Sequence, residues 1–304
     1  MLAVLKRVLS RLIDSTSPQV PQVPQPNLAG QLPSLSSKEM QVMLMLQYRQ
    51  MLHAGGPLPS FDEVGFRVCS DADEDGIIHY IFSLIGTTNK KLVDIGARVI
   101  DGSNTANLLI NHGWTGLLID GDPANTDILK RFYTNSRDTH NYPPLILNTW
   151  VSAENINSIM AENNMTGELD LLCIDIDGVD YWILKALENC SPRVIVVEYQ
   201  CIWGPEKAMT VPYDPAFKGG FEGKYGVYSG ASLAAFVKLL KNKDKGYRLV
   251  GCHRYGYNAF FIRNDIANEI LPEIQPIDCY KHPFTQWAVE TLLPKVKNRK
   301  WVEV

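Results

Sequence analysis

From Phe61 onward the apolar and polar positions fall into short blocks that switch between two periods, and the blocks predict alternating strands and helices. Strands are expected at Lys91 to Ile95, Thr115 to Ile119, Leu145 to Leu147, Leu169 to Ile176 and Arg193 to Glu198. Helices are expected at Glu74 to Leu84, Thr105 to His112, Pro123 to Tyr133, Ala153 to Asn163 and Tyr181 to Glu188. The densest apolar block, Leu171 to Ile174 with Ile176 beyond Asp175, is what a parallel strand covered on both faces requires, so it is predicted to be central. Strands that alternate with helices pair in parallel through right-handed crossovers. The last two blocks break the rhythm. YRLVGC (Tyr247 to Cys252) and NAFFIR (Asn258 to Arg263) follow a helix at Ser232 to Lys241, and the connection between them is shorter than the roughly dozen residues a crossover needs. They must pair antiparallel. The expected fold is α/β: a doubly wound, mostly parallel sheet ending in an antiparallel hairpin, preceded by N-terminal helices.

Upstream of this body the pattern divides the chain further. In residues 1–16, Leu2, Leu5, Val8, Leu9, Leu12 and Ile13 share one helical face while Lys6, Arg7 and Arg11 fill the rest, so an amphipathic helix is expected. Such a helix can lie on an anionic membrane surface, or dock on the body or on a second subunit of a homo-oligomer. It lacks the apolar stretch of a secretory signal. Residues 17–36 repeat proline every third position and read as a semi-rigid linker. Residues 37–60 hold a helical arm that stops at Gly55-Gly56, with methionines expected to pack. The α/β domain spans 61–265, and 266–304 form a C-terminal extension.

Composition narrows the class. A chain of 304 residues, 45% of them hydrophobic, can bury a full core. The net charge of −4, with no basic concentration in the body, gives no footprint for nucleic acid. The six cysteines are scattered without a CxxC pair, which suits a reducing, cytoplasmic compartment. No apolar run reaches the roughly 18 residues of a membrane span.

Candidate chemistry collects at strand ends, where open α/β sheets bind ligands. The first strand ends in VDIGA, with Asp94 at its edge and Gly96 in a turn that lets backbone approach a nucleotide-type cofactor. The second ends in LLIDGDP, placing Asp120 where an acid accepts hydrogen bonds from ribose hydroxyls. Val151 and Ser152, after the third strand, are candidates for contact with an adenine ring. The fourth strand ends in IDIDG, with Asp175 and Asp177, and the fifth in VVEYQ, with Glu198 on the same rim. These carboxylates suit a hard cation such as Mg²⁺, held by Asp175 and Glu198. They also suit acid-base work, for which His253, between the last two strands, is the best-placed histidine. His112, at a helix end, is expected to be protonated against the helix dipole. The segment from Trp203 to Ser232 carries Trp203, Tyr213, Phe217, Tyr225 and Tyr228 with little periodicity and reads as a loop covering substrate. No Ser-His-Asp or Cys-His motif is present, so hydrolase chemistry is unsupported.

Together, EDGIIHYIF, VDIGA, SNTANLL, GWTGLLIDGD, LDLLCIDIDG, VVEYQ, VPYDP and the GASL turn resemble the FkbM-like branch of class I S-adenosylmethionine-dependent methyltransferases, over Phe61 to about Asp265. The resemblance implies S-adenosylmethionine held by Asp94, Gly96 and Asp120, and methyl transfer to a hydroxyl of a sugar, glycan or natural product. One departure stands out. Where the family has a glycine-rich GxGxG, this chain has Gly96-Ala97-Arg98-Val99-Ile100, keeping only the first glycine. Two other readings therefore stay open: a metal-assisted sugar- or nucleotide-modifying enzyme without S-adenosylmethionine, and an inactive binding module on the same fold.

Overall fold

The computed structural model describes residues 38–219 and 228–304. The amphipathic helix expected in 1–16, the linker in 17–36 and Tyr225 lie outside them. Seven strands form one sheet: β1 (Lys91–Ile95), β2 (Thr115–Asp120), β3 (Leu145–Asn148), β4 (Gly167–Ile174), β5 (Cys190–Glu198), β7 (Tyr247–Cys252) and β8 (Asn258–Arg263). The two-residue β6 (Met209–Thr210) pairs elsewhere, with β9 (Val302–Glu303) near the C-terminus. The sheet order is β3-β2-β1-β4-β5-β8-β7. The first five strands are parallel, and β8 runs antiparallel to both β5 and β7.

Side-chain alternation along the strands builds two cores. Val93, Ile95, Leu172, Ile174, Ile195 and Val197 point to one face, where Ile156, Ile183 and Phe236 from three helices cover them. Leu92, Leu118, Leu171, Cys173, Val194 and Val196 point to the other, under Ile77, Ile81, Leu109, Leu129 and Tyr133. Both faces of the central strands are dry, which is why β1, β4 and β5 read as apolar runs with little alternation. The chain reverses sheet order between β1 and β4, and the crevice at their carboxyl ends is the switch point where such sheets bind ligands.

The segments expected as an arm and an extension are packed into this body. Helix Lys38–Ala54 lies on helix Glu74–Ile85 through Tyr48, edge-on to Tyr80 at 4.8 Å, and through Arg49 Nε donating to Ser83 O at 3.3 Å. Buried Gln41 exchanges hydrogen bonds with Asn107 at 3.2 and 3.0 Å. Its methionines behave unevenly: Met51 packs against the core, but Met43 is 64% exposed, because the helix turns only one stripe inward. At the other end, Tyr280 Oη donates to Gly204 O at 2.9 Å and Trp301 packs edge-on to Trp203, so the C-terminal segment braces the loop after β5.

Candidate active site

The turn after β1 is fixed from two sides. Gly96 and Ala97 both donate their N–H to Ile119 O, at 2.9 and 3.1 Å, and Asp175 N donates to Ile95 O at 2.9 Å. Gly96 has φ +90°, and a Cβ there would stand 1.8 Å from Asp175 O, so only glycine permits this close passage. Beside it opens a crevice of about 220 Å³, lined by Gly96, Arg98, Asp120, Val151, Asp175 and Asp177, with Trp150 and Phe217 at its walls. Two larger hollows, of about 530 and 740 Å³, lie against helix Leu233–Lys241 and edge strand β7, away from all of the strand-end acids.

The IDIDG turn is held by a residue that the sequence reading passed over. Asp180 is fully buried, and its carboxylate accepts from Ile176 N at 2.9 Å and Gly178 N at 3.0 Å. Burial nevertheless pushes its pKa up to about 6. Between those two N–H groups Asp177 takes φ +53°, a left-handed conformation that Asp tolerates better than most residues and that aims its side chain into the crevice. An acid two residues past a glycine at a helix start was the available signal.

Asp175 lines the crevice and is half-buried. Burial, with the charge of Asp177 added, pushes its pKa up to about 7, while Arg98 and a hydrogen bond from Glu198 pull the other way. Glu198 is raised well above its ordinary value, by burial and then by Asp175 and Asp177. Arg98 supplies the local positive charge. Burial works against its guanidinium, but Asp175, Asp71, Asp177 and Glu198 outweigh that and raise its pKa. Its Nη1 is 3.8 Å from Asp71 Oδ2. Asp175 and Glu198, expected to share a metal, thus face a protein cation, and among the described residues they are not gathered with a third metal ligand.

Asp120 sits on the opposite wall. Its Oδ1 accepts from Asp122 N at 2.6 Å, while Asp122 caps the next helix through Ala124 N at 2.9 Å. Burial raises the Asp120 pKa. Trp150 Nε1 donates to Pro215 O at 2.6 Å, closing the wall with the loop that carries Phe217.

Other expected site residues lie elsewhere. Asp94 is buried behind the Gly96 turn, where its Oδ2 accepts from Thr105 Oγ1 at 2.6 Å, and burial pushes its pKa up to about 6. It does not line the crevice. Ser152 turns its backbone N–H to Asn155 Oδ1 at 2.8 Å, outside the lining. His253 is fully buried, with Nε2 2.7 Å from Asp73 Oδ1, because the β7–β8 turn folds it against the helix that starts at Glu74. His112, expected as a charged helix cap, is driven down to a pKa of about 4, by burial first and then by neighbouring His79; its Nε2 lies 2.7 Å from Gln41 Oε1. Of the loop aromatics among the described residues, only Phe217 lines the crevice. Trp203 and Tyr228 pack on Trp301, and Tyr213 on Trp182.

No protein-family model matches the chain, and no curated protein matches it in sequence. Solved structures do resemble it in shape. An O-methyltransferase from Bacillus cereus in complex with SAH is 14% identical, with 72% of this chain and 89% of that one covered and a TM-score of 0.40. The O-methyltransferase TomG from Streptomyces achromogenes, in complex with SAM, is 14% identical over 76% and 92% of the two chains, with a TM-score of 0.40. A putative O-methyltransferase from Klebsiella pneumoniae is 12% identical over 74% and 99%, with a TM-score of 0.39. Likenesses of this size assign no activity, and the functional reading rests on the crevice. Among the described residues no helix is long and apolar enough to cross a membrane.

Proposed function

We propose that the chain is an S-adenosylmethionine-dependent O-methyltransferase acting on a hydroxyl of a small molecule or glycan. The observation that carries this reading is the meeting, in one switch-point crevice, of a glycine turn at φ +90° and the strand-end acid Asp120 with the acid pair Asp175 and Asp177. The parallel sheet closed by the antiparallel β8 favours this cofactor over a nicotinamide dinucleotide.

The residues fit the cofactor in two halves. On the nucleoside side, Asp120 accepts from ribose hydroxyls, Val151 and Trp150 supply an apolar wall, and the Gly96 turn, pressed against the Asp175 carbonyl, borders them. On the amino-acid side, Arg98 replaces glycine, and its planar guanidinium suits a carboxylate. When bound, the cofactor supplies an electrophilic methyl group. The chain's own residues do the rest. Asp175, with a pKa near 7, is poised to take the proton from an acceptor hydroxyl at neutral pH. Asp177 sustains that pKa by its charge, and Asp180 holds the turn that presents both acids. Trp150 and Phe217 wall the crevice and limit water, so that positioning contributes much of the rate.

Calorimetric titration with S-adenosylhomocysteine tests the reading. Binding is expected, and Asp120→Ala should weaken it about tenfold to a hundredfold, the worth of a hydrogen bond to a charged group. Absence of heat with the unaltered protein would exclude it.

A further inference from the structure

The turn between β7 and β8 brings a histidine onto two carboxylates far from it in sequence. Asp73 and Glu74 stand at the start of helix Glu74–Ile85, and His253 lies against them with its side chain fully buried. Glu74 is 1% exposed and Asp73 12%. His253 Nε2 is 2.7 Å from Asp73 Oδ1, close enough to help hold the Asp73 carboxyl below its ordinary range, but the ring is poorly aligned on that oxygen for a hydrogen bond. The imidazole and the carboxylate converge in a nearly sealed place, in a geometry short of a well-aligned hydrogen bond.

The remaining oxygens are engaged. Arg254 Nε and Nη2 donate to Asp73 Oδ2 at 2.8 and 2.6 Å. Ala72 N donates to Glu74 Oε2 at 3.0 Å, and Asn258 Nδ2 reaches Glu74 Oε1 at 3.3 Å. The guanidinium pairs with Asp73, while Glu74 is met by uncharged donors. Donor atoms of all three side chains lie within 4.8 Å of one another. Two donors about 2.1 Å from a shared ion at a tetrahedral angle stand about 3.4 Å apart, so rotamer adjustment suffices to close the set.

We propose that Asp73, Glu74 and His253 bind a divalent transition-metal ion, for which one imidazole and two carboxylates suit Zn²⁺ or Mn²⁺. Loading places the imidazole proton on Nδ1, which lies 3.9 Å from Glu74 Oε1, and displaces the long 3.4 Å contact that Tyr255 N makes there. The ion acts as a clasp. It ties the β7–β8 turn to the segment whose Asp71 faces Arg98 at the crevice, and its binding does not depend on the reaction catalysed there.

The test uses the full chain, stripped with chelator and titrated with Zn²⁺ and with Mn²⁺ in a calorimeter, followed by X-ray absorption of the zinc-loaded protein. Expected are uptake of a single equivalent, a rise in melting temperature, and an ion surrounded by one imidazole nitrogen and carboxylate oxygens. Asp73→Asn and His253→Gln should each abolish uptake. Should either variant fail to fold, the absorption spectrum of the unaltered protein still decides. Sulfur neighbours, drawn from Cys252 beside His253, would overturn the proposal, as would saturable uptake that both variants retain, or none at all.

Discussion

Gly96 and Asp175 belong to different strand ends, yet a Cβ on the first would stand 1.8 Å from the carbonyl oxygen of the second. The contact makes one object of the β1 turn and the IDIDG turn. Gly96→Ala must move one of them, and it also places a side chain at φ +90°, where the backbone conformation alone costs about 1–2 kcal/mol. Loss of stability by at least that amount in urea, together with loss of S-adenosylhomocysteine binding at temperatures where the variant remains folded, is the expected result. A variant that binds normally would show that the two turns are not coupled.

The pKa of Asp175 sets a pH profile. If its carboxylate is the base, methyl transfer rises as pH passes about 7 and levels off above. Asp175→Asn should lower kcat about a hundredfold or more, the usual worth of a positioned base. Asp177→Asn is the sharper test. Asn tolerates the left-handed φ of that position, so the turn survives, while removal of the negative charge lets the Asp175 pKa fall. The limb of the profile should move toward acid with the turn intact. An unmoved limb would take Asp175 out of the base's role.

Much of this arrangement was legible in the chain because it is written locally. The five parallel strands and the closing hairpin follow from apolar runs, periods and a connection too short to cross over. Glycine and acid at the ends of β1, β2 and β4 follow from position alone. What escaped depends on contacts between distant segments. Asp94 looks like a rim residue, but Thr105 and the Gly96 turn close over it. His253 looks like a rim base, but the helix starting at Glu74, far away in sequence, takes its ring. Arg98 could be seen as a departure from a glycine pattern, whereas the pull of Asp175, Asp177 and Glu198 on it needed β1, β4 and β5 side by side.

Acid should loosen helix Lys38–Ala54 first. His79 is buried between helix Lys38–Ala54 and the body, and burial drives its pKa down to about 4 against a hydrogen bond with the Gln41 backbone. The unfolded chain binds the proton between pH 6.5 and 4 and the folded one does not, so stability is complete above 6.5 and falls as pH drops toward 4. The linked loss is on the order of 3 kcal/mol. Asp175 acts oppositely in the same range: its raised pKa makes stability fall as pH rises from 3.8 toward 7. His79→Phe separates the two. It keeps an aromatic ring beside Tyr48 and Phe66 and removes the buried titratable nitrogens. Urea unfolding at a series of pH values should show the variant gaining on the parent at pH 5, with the difference shrinking as pH rises to about 6.5 and constant above. Parallel curves would mean that His79 does not control the acid limb.

Further back along β4 from Asp175, Asp170 offers a control that separates stability from chemistry. Its carboxylate is fully buried and accepts the N–H groups of Thr88, Asn89 and Lys90, at 3.0, 2.9 and 2.6 Å, with Arg193 Nη1 at 2.8 Å. Arg193 continues to Ile85 O and Gly86 O, pinning the end of helix Glu74–Ile85 to the amino ends of β4 and β5. Burial alone would raise the Asp170 pKa, but Arg193 and the three N–H groups outweigh it and hold the carboxyl below its ordinary range. Its contribution is therefore present at neutral pH and lost as pH falls through the acid range. Asp170→Asn leaves the Arg193 charge buried without its partner, which costs about 3–5 kcal/mol. The position is about 16 Å along the strand from Asp175, beyond reach of the crevice. Melting temperature should fall sharply while S-adenosylhomocysteine affinity, measured below the transition, stays unchanged; a matching loss of affinity would show that the clamp on β4 sets the geometry at its carboxyl end.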